Sequence, residues 1–426
     1  MNLSRNSILF TILMGVLLTL NVVVTHNVLT EPFPGHYDFL SRWEGTRSFW
    51  IDGLNPYSDE ASYNIQQRYF GRTPTGREDL VLFAYPFYTV FFLLPFIFTS
   101  FAWAAAVWMV LLESCLLVSL ILLLHHFRWR PSPLLLGVLL FWNLVSYFPA
   151  RNLILGQLAA LVYFCEVFTI WALARKNDRW AGILLAISTV KPQMGFLVIP
   201  FLLLWAWREK RWIFLTSFLA SFGVLMAASF ALVPNWMFDW LNQVSAYPTY
   251  THTGSSIWII SNWPWLHIDP ETGLWEVAGG FGRWLDLGLS GLMYLYLGRL
   301  WYQAVWLRRP ERFMWTLVMT LAITHFVAPR TASTHFILFM VPLIFYVRNL
   351  TGRFKGRRGT LFAISVLAFL FIQQWVHFLL TVVSQVEHPT VSLLTPFLVF
   401  VLLLTTQQWW WRDATDRFQS AAKLSP

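Results

Sequence analysis

Charge is what this 426-residue chain has least of: Asp, Glu, Lys and Arg together make up 12% of it. So few charged groups cannot cover a water-facing globule of this length, which excludes the soluble globular class. Only two cysteines occur, Cys115 and Cys165, each inside an apolar run. Neither a disulfide framework nor a CxxC metal site can be read from them. HExxH, DxD, Walker and GxGxxG constellations are absent, as are internal repeats and low-complexity tracts.

What is present is hydrocarbon-compatible sequence. Hydrophobic residues make up 57% of the chain and the mean hydropathy is +0.55, the signature of an integral membrane protein. Apolar runs cover roughly 7–25, 81–126, 133–149, 153–174, 180–207, 213–233, 284–304, 314–328, 335–348, 360–381 and 389–408. At about 20 residues per crossing they predict an all-α polytopic membrane protein with about eleven to thirteen transmembrane helices in a single domain, 1–426. The run 180–207 reads as two short helices meeting at Lys191 and Pro192. The stretch from Ile8 to Val24 follows Arg5 and is succeeded by VTHNVLTEPF, with no small-residue cleavage site, so it reads as an uncleaved first span. Tryptophan is abundant at 25 copies, many of them at span ends, as in Trp409, Trp410 and Trp411, where amphipathic rings anchor at headgroups.

The formal charge of +9 does not point to nucleic acid, because Lys and Arg sit mostly in short connectors such as FRWR (127–130), ARKNDRW (174–180), REKRW (208–212), RRPER (308–312) and RNLTGRFKGRRG (348–359). Basic connectors lie on the cytoplasmic side. The first loop (26–80), the second large loop (234–283) and the tips holding Asn152, Gln157, Lys191, Arg330 and His335 then face outward, and both termini, including the tail 409–426, are cytoplasmic. This arrangement needs an odd number of crossings between 81 and 126. One segment there, Leu82 to Pro95 with its YPF turn, is therefore expected to be re-entrant or interfacial.

The first loop is acidic and aromatic: EPFPGHYDFLSRWEGTRSFWIDGLNPYSDEASYNIQQRYFGR. Phe39 to Phe49 is expected to form an amphipathic helix on the membrane surface, followed by turn residues from Asp52 to Pro56 and an aromatic plug, Tyr57. Asp38 has two readings. Asp is a common helix N-cap, and on spacing alone the cap is the commoner role. A carboxylate just above the hydrocarbon is also the right group to take a proton from a hydroxyl. Lys191, in STVKPQMG, is an ammonium flanked by apolar half-helices, a placement that calls for a counter-ion such as a lipid phosphate. Asn152 and Gln157, in NLILGQ, can hydrogen-bond hydroxyls or phosphate oxygens, or can join helices to each other. Arg151 is a second phosphate candidate or an interfacial anchor.

The segment YDFLSRWEGTRSFWIDGLNPY resembles the opening of glycosyltransferase family 87, of the GT-C superfamily. FAYPFYTVFFLLPF (83–96), NLILGQLAALVYF (152–164), WAGILLAISTVKPQMGFLVIPFLLLWAWREKRW (180–212) and RTASTHFILFMVPLIF (330–345) follow in the same order. The last departs from the family pattern in having Ser333, Thr334 and a single His335 where a Trp and paired His are usual. The resemblance implies a GT-C-like fold and a plasma (inner) membrane enzyme that takes a hexose, mannose or a relative of it, from a polyprenyl-phosphate donor on the outer face. The acceptor would be a lipid or glycan. It also implies Asp38 and His335 as catalytic groups, Lys191, Arg330 and Arg151 at the donor phosphate, and Asn152, Gln157 and Tyr57 at the substrate. Without a DxD pair no metal-bound sugar nucleotide is expected, nor a cofactor, although loop carboxylates are able to bind a divalent ion. Two other classes remain at this stage. One is a transporter or flippase of a lipid-linked saccharide, which would usually carry a repeat. The other is a lipid-linked oligosaccharide ligase. His125, His126, His325 and His377 read as structural.

Overall fold

The structure, a computed structural model, describes residues 5–34, 37–75, 78–246, 254–270, 275–277, 279–329, 331–354, 356–383, 386–413 and 418. The described residues are almost all helical, with one short antiparallel pair, Leu266–Ile268 and Trp275–Val277, in which His267 lies opposite Glu276. Among the described residues, five helices are long and apolar enough to cross a membrane: Leu9–Thr30, Phe101–His126, Trp212–Leu232, Ser333–Arg353 and Arg357–Thr381. A sixth arises if Pro133–Val145 and Tyr147–Leu155, bent by 46°, form one span. Other expected crossings fold as shorter apolar helices, among them Ala159–Leu173, Val198–Arg208 and Pro389–Thr405. The chain is an all-helical membrane protein.

Both segments expected to be broken consist of short pieces. Between 81 and 126 there is one full-length helix, Phe101–His126, preceded by the short pieces Thr89–Leu93 and Leu94–Phe96. The 180–207 run breaks at Lys191, which links Ser188–Val190 to Pro192–Gly195 with φ −128° and ψ 78°. Proline at 192 removes a backbone donor and disfavours helical geometry at the residue before it.

The chain forms two compact units. The first contains Met1–Leu116, Arg151–Ala160 and Ala227–Tyr250. Its centre is the helix Tyr37–Trp50, which packs on Asp59–Phe70 and Thr89–Leu93. The sequence suggested a helix lying on the membrane surface. Instead it is buried from Phe39 through Thr46, because aromatic and small residues serve packing on several faces. Phe39 stacks on Trp108 at 5.1 Å, the Trp43 indole donates to the Phe96 carbonyl at 2.8 Å, and Gly45 leaves room for the Phe83 ring.

The second unit contains Leu117–Ala150, Leu161–Met226 and Thr251–Pro426. Its core is Pro310–Val327, buried continuously from Phe313 to Val327 among Val198–Arg208, Ser256–Asn262, Gly282–Trp301 and Pro389–Thr405. A helix buried on every side can be apolar all round. The Trp409–Trp411 run does not simply anchor at headgroups: Trp410 is buried, stacked on Phe345 at 3.7 Å. Asp413 pairs with Arg348 through two bonds of 2.8 and 2.9 Å.

Candidate active site

In the first unit, Asp38 stands in the first turn of Tyr37–Trp50 and keeps 31% of its side chain exposed. That leaves part of the carboxylate at the surface. One oxygen accepts from the side-chain amide of Gln157. The other lies 3.3 Å from the Arg42 guanidinium, four residues on and therefore on the same helix face. Arg42 is buried, donates to the Asp38 carbonyl at 2.7 Å and to Ser41 Oγ at 2.6 Å, and lies 4.5 Å above the Tyr85 ring. A charged pair with the acid open to solvent is a positioned carboxylate rather than a buried structural bridge.

NLILGQ is built to deliver Gln157. The helix Tyr147–Leu155 ends at Gly156, whose φ of +63° suits the left-handed turn glycine adopts most easily. The Gln157 amide N–H closes that turn on the Asn152 carbonyl at 2.9 Å, and the Trp108 indole donates to the Gly156 carbonyl at 2.8 Å. Asn152 is buried and Arg151 half-buried on the same helix. Tyr57, expected at the substrate, is buried, and its hydroxyl donates to the Tyr85 carbonyl at 2.5 Å. The geometry gives it the closure of the loop. Burial and the nearby Tyr88 and Asp239 charges hold the phenol well above its ordinary pKa.

Asp79, solvent-accessible but hemmed in by protein, lies within electrostatic reach of Asp38. Desolvation lifts its carboxyl above the ordinary range, and the Asp38 charge adds to this. The Val81 N–H, 2.8 Å away, and Arg42 oppose it.

In the second unit, Lys191 is buried at the break between half-helices. Its charge bears on His335, also buried, in the turn Ser333–Phe339. His335 Nδ1 receives the Ala332 N–H at 3.3 Å. A nitrogen that accepts carries no proton, so the neutral ring presents Nε2–H as a donor. His325, read from sequence as structural, puts its ring centroid 6.1 Å from that of His335. Arg330 lies outside the described residues. An apolar cavity of about 100 Å³ adjoins the same turn, lined by Trp142, Phe148, Phe336, Met340, Leu370 and Leu398 among others.

The family model of glycosyltransferase family 87 matches residues 83–329, more than half of the chain. The chain belongs to that family. It is a membrane glycosyltransferase, an enzyme that transfers a sugar, and the transporter reading falls away. The match includes Arg151, Asn152, Gln157 and Lys191, and leaves Asp38 and His335 on either side. No curated protein and no solved structure matches the chain.

Three residues in these surroundings escaped the sequence reading. Arg42 was signalled by its i,i+4 spacing from Asp38. Glu166 is buried on Ala159–Leu173, and a Cβ on Gly195 would stand 3.6 Å from its Oε1, which puts a carboxyl against the Lys191–Gly195 turn. Glu387, far along the chain, accepts from Ser333.

Proposed function

We propose that this enzyme moves a hexose, mannose or a close relative, from a polyprenyl-phosphate donor to a hydroxyl of a lipid or glycan acceptor at the outer face of the plasma membrane. The observation that carries the reading is the half-open Asp38 carboxylate held by Gln157 and Arg42. Asp38 takes the proton of the acceptor hydroxyl. The freed oxygen attacks the anomeric carbon, the bond from that carbon to the phosphate oxygen breaks, and its electron pair leaves with the lipid phosphate. Displacement from the opposite face inverts the anomeric configuration.

The leaving phosphate is already anionic, so stabilisation of its charge matters more than its protonation. Lys191 supplies a fixed cation at the break in its helix, and His335 offers the Nε2–H that its Nδ1 contact leaves free. Arg330 and Arg151 are the further phosphate ligands in this scheme, and Asn152 contacts substrate hydroxyls. The prenyl tail lies between the apolar helices in this scheme. The scheme needs no metal or cofactor.

The test is transfer of label from a radiolabelled polyprenyl-phosphate hexose in membranes containing the protein, with a lipid and glycan profile of a deletion strain to identify the acceptor. Label must leave the prenyl carrier and appear in a new glycosidic bond. Transfer only from a pyrophosphate-linked oligosaccharide would replace this reading with the ligase one.

A further inference from the structure

Glu387 lies in the connector between Arg357–Thr381 and Pro389–Thr405, held from both sides. Before it, Val383 and Val386 exchange backbone bonds of 3.2 and 2.8 Å. After it, His388 caps the next helix by accepting from the Thr390 N–H, and the Trp275 indole donates to the Glu387 main-chain carbonyl at 3.1 Å. The carboxylate is thereby fixed, and it is put to use: Ser333 Oγ donates to it, 2.6 Å from Oε1 and 2.8 Å from Oε2, and the Tyr147 hydroxyl donates to Oε1. Ser333 is buried and opens the tight turn that carries His335 two residues later. The Ala332 N–H that sets the His335 tautomer is adjacent to it.

We propose that Glu387 is a positioning residue for sugar transfer: its carboxylate anchors Ser333 and Tyr147, and so holds the turn that aims His335 Nε2–H. A hydroxyl bonded to a carboxylate is a strong contact, and outer-shell carboxylates of this kind orient functional imidazoles. Glu387 itself touches no reacting atom. The proposal rests on the donor-phosphate role given to His335 above.

The experiment measures turnover and donor KM, per amount of folded protein, for Glu387→Ala, His335→Ala and the double variant, in the full-length protein in membranes. Losing one aimed charge-assisted bond in the transition state predicts a roughly tenfold to hundredfold fall in kcat for Glu387→Ala. Donor KM stays within about threefold, because Lys191 still binds the ground state. In the His335→Ala background the Glu387 change adds little, since both act through one imidazole. Glu387→Gln, which keeps one acceptor oxygen, should recover part of the loss. Parental kcat in Glu387→Ala overturns the proposal, as does a full additional loss on top of a slow His335→Ala. Parental turnover in His335→Ala would instead overturn the donor-site reading itself, and the Glu387 role with it. Should Glu387→Ala fail to insert, Ser333→Ala removes the same contact from the other side and must give a fall of the same kind.

Discussion

Replacing Asp38 by Asn tests the catalytic carboxylate most directly, because it changes one atom and little else. The structural cost is moderate. Arg42 loses a 3.3 Å charge contact but keeps the Asp38 carbonyl, Ser41 Oγ and the Tyr85 ring. Because the Arg42 side chain is only 6% exposed, losing that contact costs about 1.5 to 3 kcal/mol, below the stability of a typical fold. Gln157 can still donate to the Asn oxygen. The chemical cost is larger: an amide cannot take the acceptor's proton, and general-base catalysis contributes about 10² to 10⁴ in rate, roughly 2.7 to 5.4 kcal/mol. Asp38→Asn should therefore insert, fold and bind donor like the parent, yet transfer label at least about 10²-fold more slowly. Label transfer from the polyprenyl-phosphate hexose, normalised to folded protein, reads the rate, and donor protection against heat in detergent reads binding. If Asp38 were only a first-turn helix residue, Asn would be nearly neutral and Ala the harmful change. Turnover of the Asn variant within a few-fold of the parent would refute the reasoning and send the search to Asp52 or Glu44.

Lys191→Ala, and in parallel Arg330→Ala, should weaken donor affinity roughly tenfold or more, since a charge-assisted contact is worth about 1.5 to 3 kcal/mol; titration of donor in membranes checks this. Cysteines placed beside Asp38, Lys191 and His335 should react with an impermeant thiol reagent from outside, and those beside Arg353 and Arg357 should not; Cys115 and Cys165 are buried and should contribute little background. Asp79 holds its proton to a higher pH when folded than when unfolded, so its carboxyl favours the fold at low pH and that contribution is lost as pH rises through the raised value. Asp79→Asn, which keeps an acceptor for the Val81 N–H, should accordingly melt higher than the parent at pH 7, with the gap closing toward pH 4. Gly182→Ala would drive a Cβ to 2.5 Å from the Phe214 carbonyl and 2.7 Å from the Phe218 nitrogen, a clash costing about 1 to 3 kcal/mol and visible as a lower melting temperature.

Local chemistry made parts of this molecule readable from sequence. The break at Lys191 follows from Pro192, the left-handed end of NLILGQ from Gly156, and the one long apolar helix between 81 and 126 from the unbroken run after Phe101. What periodicity cannot carry is long-range pairing. The burial of Tyr37–Trp50 depends on Phe83, Phe96 and Trp108, all distant in sequence, so a helix that could have lain on a membrane packs inside the first unit. Glu387 is a lone carboxylate in a connector, and nothing near it in sequence announces Ser333 or Tyr147. Tyr57 carries the same lesson: nothing near it in sequence announces that its hydroxyl closes on a carbonyl 28 residues away.

The helix Trp236–Ala246 stitches the first loop shut: Gln243 bonds both the Tyr57 carbonyl and the Ala84 N–H, Trp240 donates to the Ala84 carbonyl, and Asp239 accepts from Asn55. Tyr57 and Gln243 are 186 residues apart. At about 5 to 20 residues per second, the ribosome needs roughly 10 to 40 s between making the one and the other. The loop that carries the carboxylate is thus synthesised well before the helix that fastens it. A nascent chain arrested before residue 243 would hold Asp38 in an unlatched loop, open to proteases and to quality control.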